Sequence, residues 1–141
     1  MIISLVPASM IDLVWNDIKP HLNRATDTVR GKFVVDDIRK LAESGELALW
    51  LVADGKEIVA SFTTRVIAYP QGNALAVDWV GGDRMAEWGD DAINILEKYA
   101  GEYHCTHIEG YGRKAWGRLG RSRGWYPEYV AYRKDLTNGR R

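Results

Sequence analysis

The chain has one cysteine, Cys105, so no disulfide can form within it, and the lone thiol fits a reducing compartment. It has no surplus of charge. Nineteen Lys and Arg balance nineteen Asp and Glu, which removes the overall field that would draw a protein onto nucleic acid or an anionic membrane. It also lacks a long apolar run: Met1-Ile2-Ile3-Ser4-Leu5-Val6 stops at Pro7 and carries no basic flank. Neither a signal peptide nor a membrane span is therefore expected, and the cytoplasm is the expected location. Only three histidines occur. His104 and His107 flank Cys105, but no second ligand pair stands at a recognisable spacing, so no metal site is expected.

What is present is the composition of a globular protein. Of 141 residues, 46% are hydrophobic and 27% charged, enough to bury about two-thirds of the unfolded surface in one core. A single domain over 1–136 is expected, followed by a polar tail over 137–141. Six tryptophans and seven tyrosines are read first as packing residues.

Periodicity orders the chain. Ile2 to Val6 reads as a strand, and Ile11, Val14, Trp15, Ile18 and Leu22 follow at helical spacing. Val34, Val35, Ile38 and Leu41 mark a shorter helix ending near Ser44-Gly45. Leu47–Ala53 and Glu57–Val66 are β-rich runs around Asp54-Gly55, a strong hairpin signal, and Ala74–Val80 follows the turn residues Tyr69 to Asn73. Met85–Tyr103 reads as the longest helix. Cys105–Tyr111 reads as a strand, Gly112–Gly124 as a short basic helix and Tyr129–Lys134 as a last strand. The expected fold is α/β, of the α+β kind: a mixed, mostly antiparallel sheet of about six strands with about four helices, in the order β-α-α-β-β-β-α-β-α-β.

That order, with Gly81-Gly82 and an arginine ahead of the long helix, resembles the GNAT superfamily of N-acetyltransferases over nearly the whole chain. The superfamily's R/Q-x-x-G-x-G/A motif, whose backbone N–H groups cradle the pyrophosphate of acetyl-CoA, matches Arg84-Met85-Ala86-Glu87-Trp88-Gly89. The resemblance thus implies acetyl-CoA as cofactor, held by these six residues and by backbone groups near Trp79, Val80 and Gly81, where the fourth and fifth strands splay apart. It implies transfer of the acyl group to an amine acceptor, a small molecule or a protein. Two positions depart from the pattern. Glu87 replaces the first glycine and, with Asp90 and Asp91, brings negative charge to the expected pyrophosphate site. Gly120 stands where the superfamily often has a tyrosine that protonates the leaving thiolate. The stretch from Glu109 to Trp116 is also similar to small GNAT-like proteins of tailed bacteriophages. That similarity implies an alternative role as a structural or interaction component, in the host cytoplasm or in the virion, with phage structural proteins as partners.

Acyl transfer to an amine needs a base, a donor to the carbonyl and a proton for the thiolate. Strand alternation puts His107, Glu109 and Tyr111 on one face, and Asp78 on the neighbouring strand is a further candidate base. Glu109, Tyr111 and Asp78 are therefore the candidate catalytic residues, against the plain alternative that they face solvent or a helix. Arg113, Lys114, Arg118, Arg121 and Arg123 form a basic run beside Trp116 and Trp125, suited to the CoA 3′-phosphate or to an acidic partner. The zero net charge argues against nucleic acid as its target. The last strand, if exposed, could also pair between subunits of a homo-oligomer.

Overall fold

The computed structural model describes residues 1–29, 31–112 and 120–136. Where a single domain over 1–136 is expected, the chain divides into two compact units, Met1–Tyr111 and Gly112–Arg141.

The first unit is a five-stranded sheet in sequential order. Its strands are β1 (Ile2–Val6), β2 (Ala48–Asp54), β3 (Glu57–Tyr69), β4 (Gly72–Gly82) and β5 (Cys105–Gly110). The first four pair antiparallel and β5 runs parallel to β4. The parallel pair needs a crossover, and α3 (Met85–Glu102) supplies it. Helices α1 (Ile11–Thr26) and α2 (Val35–Glu43) fill the β1–β2 connection.

Each face of the sheet is covered because each face is apolar. Ile11, Trp15, Ile18 and Leu22 of α1, at spacings of three and four, join Val35, Ile38 and Ala42 of α2 against Leu47 and Leu49. On the other face Trp88, Ala92, Leu96 and Ala100 of α3 meet Trp50, Val52, Phe62 and Leu75. The central strands are hydrophobic on both sides for this reason, and so do not show the alternation of a half-exposed sheet. Close packing of α1 depends on one glycine: a Cβ on Gly81 would lie 1.9 Å from the carbonyl oxygen of His21.

Two hairpin turns follow their sequence signals. Asp54 pairs with Glu57 around Gly55, whose φ of 61° favours glycine, and Tyr69 pairs with Gly72 around Pro70-Gln71.

The second unit departs from expectation. Within the expected basic helix, residues 113–119 lie outside the described residues, and the remainder contains a short 3₁₀ turn at Arg121–Arg123. Tyr129–Lys134 forms no strand and pairs with none among the described residues. Among the described residues the sheet therefore has five strands, one fewer than expected, and there are three α-helices; most of the expected fourth helix lies outside them. Alternation of residue types shows β-propensity but cannot supply the partner strand that a ladder requires. Among the described residues no helix is long and apolar enough to cross a membrane.

Candidate active site

The site is built around β4, where the ladder changes character. Along its first half β4 lies between β3 and β5, with Ala74 opposite His107 and Val77 opposite Gly110. The β3 pairing then jumps from Thr64↔Val77 to Phe62↔Val80, so β4 holds one extra residue at Asp78-Trp79. This is a β-bulge, a device that re-aims a strand. Beyond it no described residue pairs with β4 on the β5 side: the last tie among the described residues is Tyr111 N–H to the Val77 carbonyl, 3.3 Å.

The bulge decides where Val80 points. Asp83 N–H donates to the Val59 carbonyl at 2.9 Å, making Asp83 and Val59 a hydrogen-bonded pair. Antiparallel alternation then makes Gly81–Ser61 another such pair and leaves Val80–Phe62 a non-bonded one. The N–H and C=O of Val80 are consequently aimed away from β3, to the side on which β5 has stopped. Trp79, Val80 and Gly81 are the residues whose backbone the resemblance implies for the pantetheine arm.

The catalytic candidates do converge. Glu109 Oε2 accepts hydrogen bonds from the hydroxyls of Tyr69, at 2.8 Å, and Tyr111, and Oε1 lies 2.9 Å from His107 Nε2. The Tyr69 ring stacks on the His107 imidazole with centroids 6.2 Å apart. Burial alone would raise the Glu109 pKa, but the bonds from Tyr111, His107 and Tyr69 outweigh it and the net shift is downward. Tyr111 is held well above its ordinary range, first by that hydrogen bond and then by burial. At neutral pH the pair is thus a carboxylate and a protonated phenol.

Asp78 stands apart from this cluster in its bonding. Its carboxylate receives Arg65 Nε at 2.5 Å and Nη2 at 3.3 Å, and that hydrogen bond raises the guanidinium's pKa despite burial. Alternation along β3 and β5 places Arg65, Tyr69, His107 and Glu109 on the sheet face that α1 covers farther along. Tyr69 and Arg65 were not candidates from sequence. Their spacing of four along one strand was the available signal, but only the β3–β4–β5 register brings them beside Glu109 and Asp78.

The expected cofactor motif is more compact than a cradle. Between β4 and α3 lie only Asp83 and Arg84, and Met85, Ala86, Glu87, Trp88 and Gly89 are already helical. Arg84 caps the helix in the left-handed conformation, with φ of 62°. Its guanidinium makes two 2.8 Å bonds to Glu87 and one of 2.9 Å to Asp54. The hydrogen bond from Arg84 lowers the Glu87 pKa, so the carboxylate stays charged. Trp88 turns inward and donates Nε1–H to the Asp83 carbonyl at 2.8 Å. A Cβ on Gly89 would meet only Met85 Cγ, at 3.4 Å, so packing does not demand glycine there.

Acetyl-CoA fits this donor set unevenly. The Val80 edge, unpaired on the β5 side among the described residues, suits the acyl-pantetheine end, while the helix N-terminus and Arg84 suit an anion only if Arg84 leaves Glu87. That pair is solvent-exposed, with side chains 36% and 52% accessible, and such pairs hold weakly.

Two other sequence candidates resolve simply. A Cβ on Gly120 would sit 2.9 Å from Trp125, so the position where the superfamily's tyrosine is expected is closed by that indole. Burial raises the Cys105 thiol's pKa, which disfavours a thiolate nucleophile. Arg113, Lys114, Trp116 and Arg118 lie outside the described residues.

A mixed sheet in this order, crossed by α3 and bulged in β4, is the GNAT fold. Solved structures share it over nearly their whole length. A probable acetyltransferase superposes with a TM-score of 0.72 at 12% identity, covering 97% of this chain and 99% of its own. The ribosomal-protein-alanine N-acetyltransferase of Brucella melitensis biovar Abortus 2308 gives 0.72 at 13%, covering 96% and 100%. An aminoglycoside acetyltransferase from an uncultured soil metagenomic sample, solved with sisomicin, gives 0.70 at 13%, with 96% of each chain covered. No family model matches the chain, and no curated protein matches it in sequence. At such identities the likeness establishes the fold.

Proposed function

We propose that this chain is an acetyl-CoA-dependent N-acyltransferase with a weak hold on the cofactor's diphosphate. The observation that carries the reading is the β4 bulge, which aims the Val80 N–H and C=O away from β3, on the side where no described residue pairs with β4 beyond Val77.

Acetyl-CoA supplies the acyl group as a thioester. Backbone groups of Val80 and Gly81 hold the carbonyl end, with the Val80 N–H as donor to the oxygen that gains charge during attack. Met85 and Ala86 N–H groups, with Arg84 freed from Glu87, receive the diphosphate, and Trp88 and Gly89 shape that turn. The amine nitrogen attacks the carbonyl carbon, a C–N bond forms, the C–S bond breaks, the amine gives up a proton and the thiolate takes one. Glu109, with its lowered pKa, is a poor proton acceptor. It instead attracts the ammonium and holds His107, whose imidazole takes the proton. Tyr111, whose proton is committed to Glu109 and held more tightly than an ordinary phenol's, positions that carboxylate, and the thiolate takes its proton from solvent water, since Gly120 offers no donor. Asp78 fixes Arg65 at the border of the cluster.

Purified protein incubated with acetyl-CoA and a panel of primary amines should release free thiol. Glu109→Gln should lower kcat by roughly a hundredfold and Tyr111→Phe by roughly tenfold. Absence of amine-dependent thiol release from every amine would sink the reading.

The closure of Arg84 on Glu87 and Asp54 favours a second reading. In it the fold has lost acetyl-CoA and serves as an interaction component, of the kind that the bacteriophage similarity implies. It predicts no acetyl-CoA binding in either the parent chain or Glu87→Gln.

A further inference from the structure

A groove of about 380 Å³ lies on the α1–α2 connection, lined by Lys32, Phe33, Asp37, Lys40 and Leu41. It is a shallow depression open to solvent rather than an enclosed pocket. Its lining carries two lysines against one carboxylate. Asp37 is already engaged, accepting the Val34 N–H at 2.9 Å as α2 begins, whereas no described carboxylate pairs with Lys32 or Lys40. The arginines Arg24, Arg39, Arg65 and Arg84, by contrast, are each ion-paired.

The groove is tied to the proposed acyl site by two rings. Phe33 stands edge-on to Trp79 with centroids 5.1 Å apart, and Trp79 is one of the two bulge residues on β4. Trp79 also packs against the core under α1 and α2, the same sheet face on which Glu109 gathers its donors. A cationic groove and an anionic carboxylate thus lie on one face, with Trp79 and the bulge associated with both.

From this polarity we infer that the acceptor is an amine carrying its own carboxylate or phosphate. The anionic group sits between Lys32 and Lys40, and the amine is directed along Phe33 and Trp79 toward the bulge. Plain alkylamines gain nothing from the groove, and polyamines are repelled by it. The inference rests on the acyltransferase reading for the reaction, but not for the binding.

Matched acceptors test it: 3-aminopropyl phosphate against propylamine, and 4-aminobutyrate against butylamine, each with acetyl-CoA. The anionic partner should be favoured by roughly tenfold in kcat/KM, and the preference should fall with added salt. In a Lys32→Glu, Lys40→Glu variant it should reverse. Both side chains are exposed, so the fold should tolerate the change. Equal use of the matched amines by the parent chain would overturn the inference. If no amine is acetylated, the acyltransferase reading fails, and titration of 3-aminopropyl phosphate followed by amide chemical shifts decides the groove by itself. Shifts centred on Lys32, Phe33 and Lys40 that vanish in the double variant would uphold it. Shifts elsewhere, or none, would overturn it.

Discussion

The two halves of β4 lead to two clusters of charge that are organised in opposite ways. The half paired with β5 borders Glu109, whose carboxylate is largely shielded and takes three converging donors from two strands. The half beyond the bulge leads to Arg84, whose bonds run to two exposed carboxylates and whose cluster closes on itself in solvent. In the first, the sheet fixes the position of a carboxylate that is 14% accessible, while the groups that donate to it stay open to water. In the second, one guanidinium is shared by two exposed carboxylates, and the partners can exchange. A catalytic cluster needs the first kind of order, and a site that must admit a diphosphate can accept the second.

The largest expected effect comes from removing the feature that holds both halves in place. Gly81→Val would drive a side chain into the His21 carbonyl, and should cost about 3 kcal/mol or abolish folding, as read from urea unfolding. Next, Glu109→Gln should cost about 1–2 kcal/mol, since it weakens charge-assisted bonds from Tyr69, Tyr111 and His107. It should also change the pH profile. The folded pKa of Glu109 lies below its unfolded value, so its contribution is present above about pH 4.3 and is lost as pH falls through the folded value. Stability curves measured between neutral and acid pH should therefore converge for parent and variant at the acid end. Tyr69→Phe, which deletes one of the three donors, should cost about 0.5–1 kcal/mol. The smallest effect is expected at the other cluster, where Glu87→Gln should leave the unfolding midpoint unchanged. A large loss in that variant would erase the contrast.

The legible part of this protein was its periodic part. Helix spacing from Ile11 to Leu22, the Asp54-Gly55 turn and the long helix after Arg84 all carry local signals, and together they suffice for the GNAT order. Glu109 and Tyr111 were legible as neighbours because two residues apart in a strand means one face. Tyr69 and Arg65 were not, because their meeting with Glu109 and Asp78 depends on strand register, including a bulge that no single residue announces. The charge of Glu87 was legible, but its pairing with Arg84, which it shares with Asp54 from 30 residues away, was not. Likewise, Gly120 reads in sequence as a missing tyrosine, whereas the structure shows Trp125 closing the position.

The most direct test is a calorimetric titration of acetyl-CoA into the parent chain and into Glu87→Gln, with desulfo-CoA as the ligand that keeps the diphosphate and lacks the thioester. The account predicts weak binding by the parent, and binding of both ligands roughly tenfold tighter in the variant as Arg84 is released. No binding by either protein at millimolar ligand would contradict it, and would leave the fold as that of an interaction component.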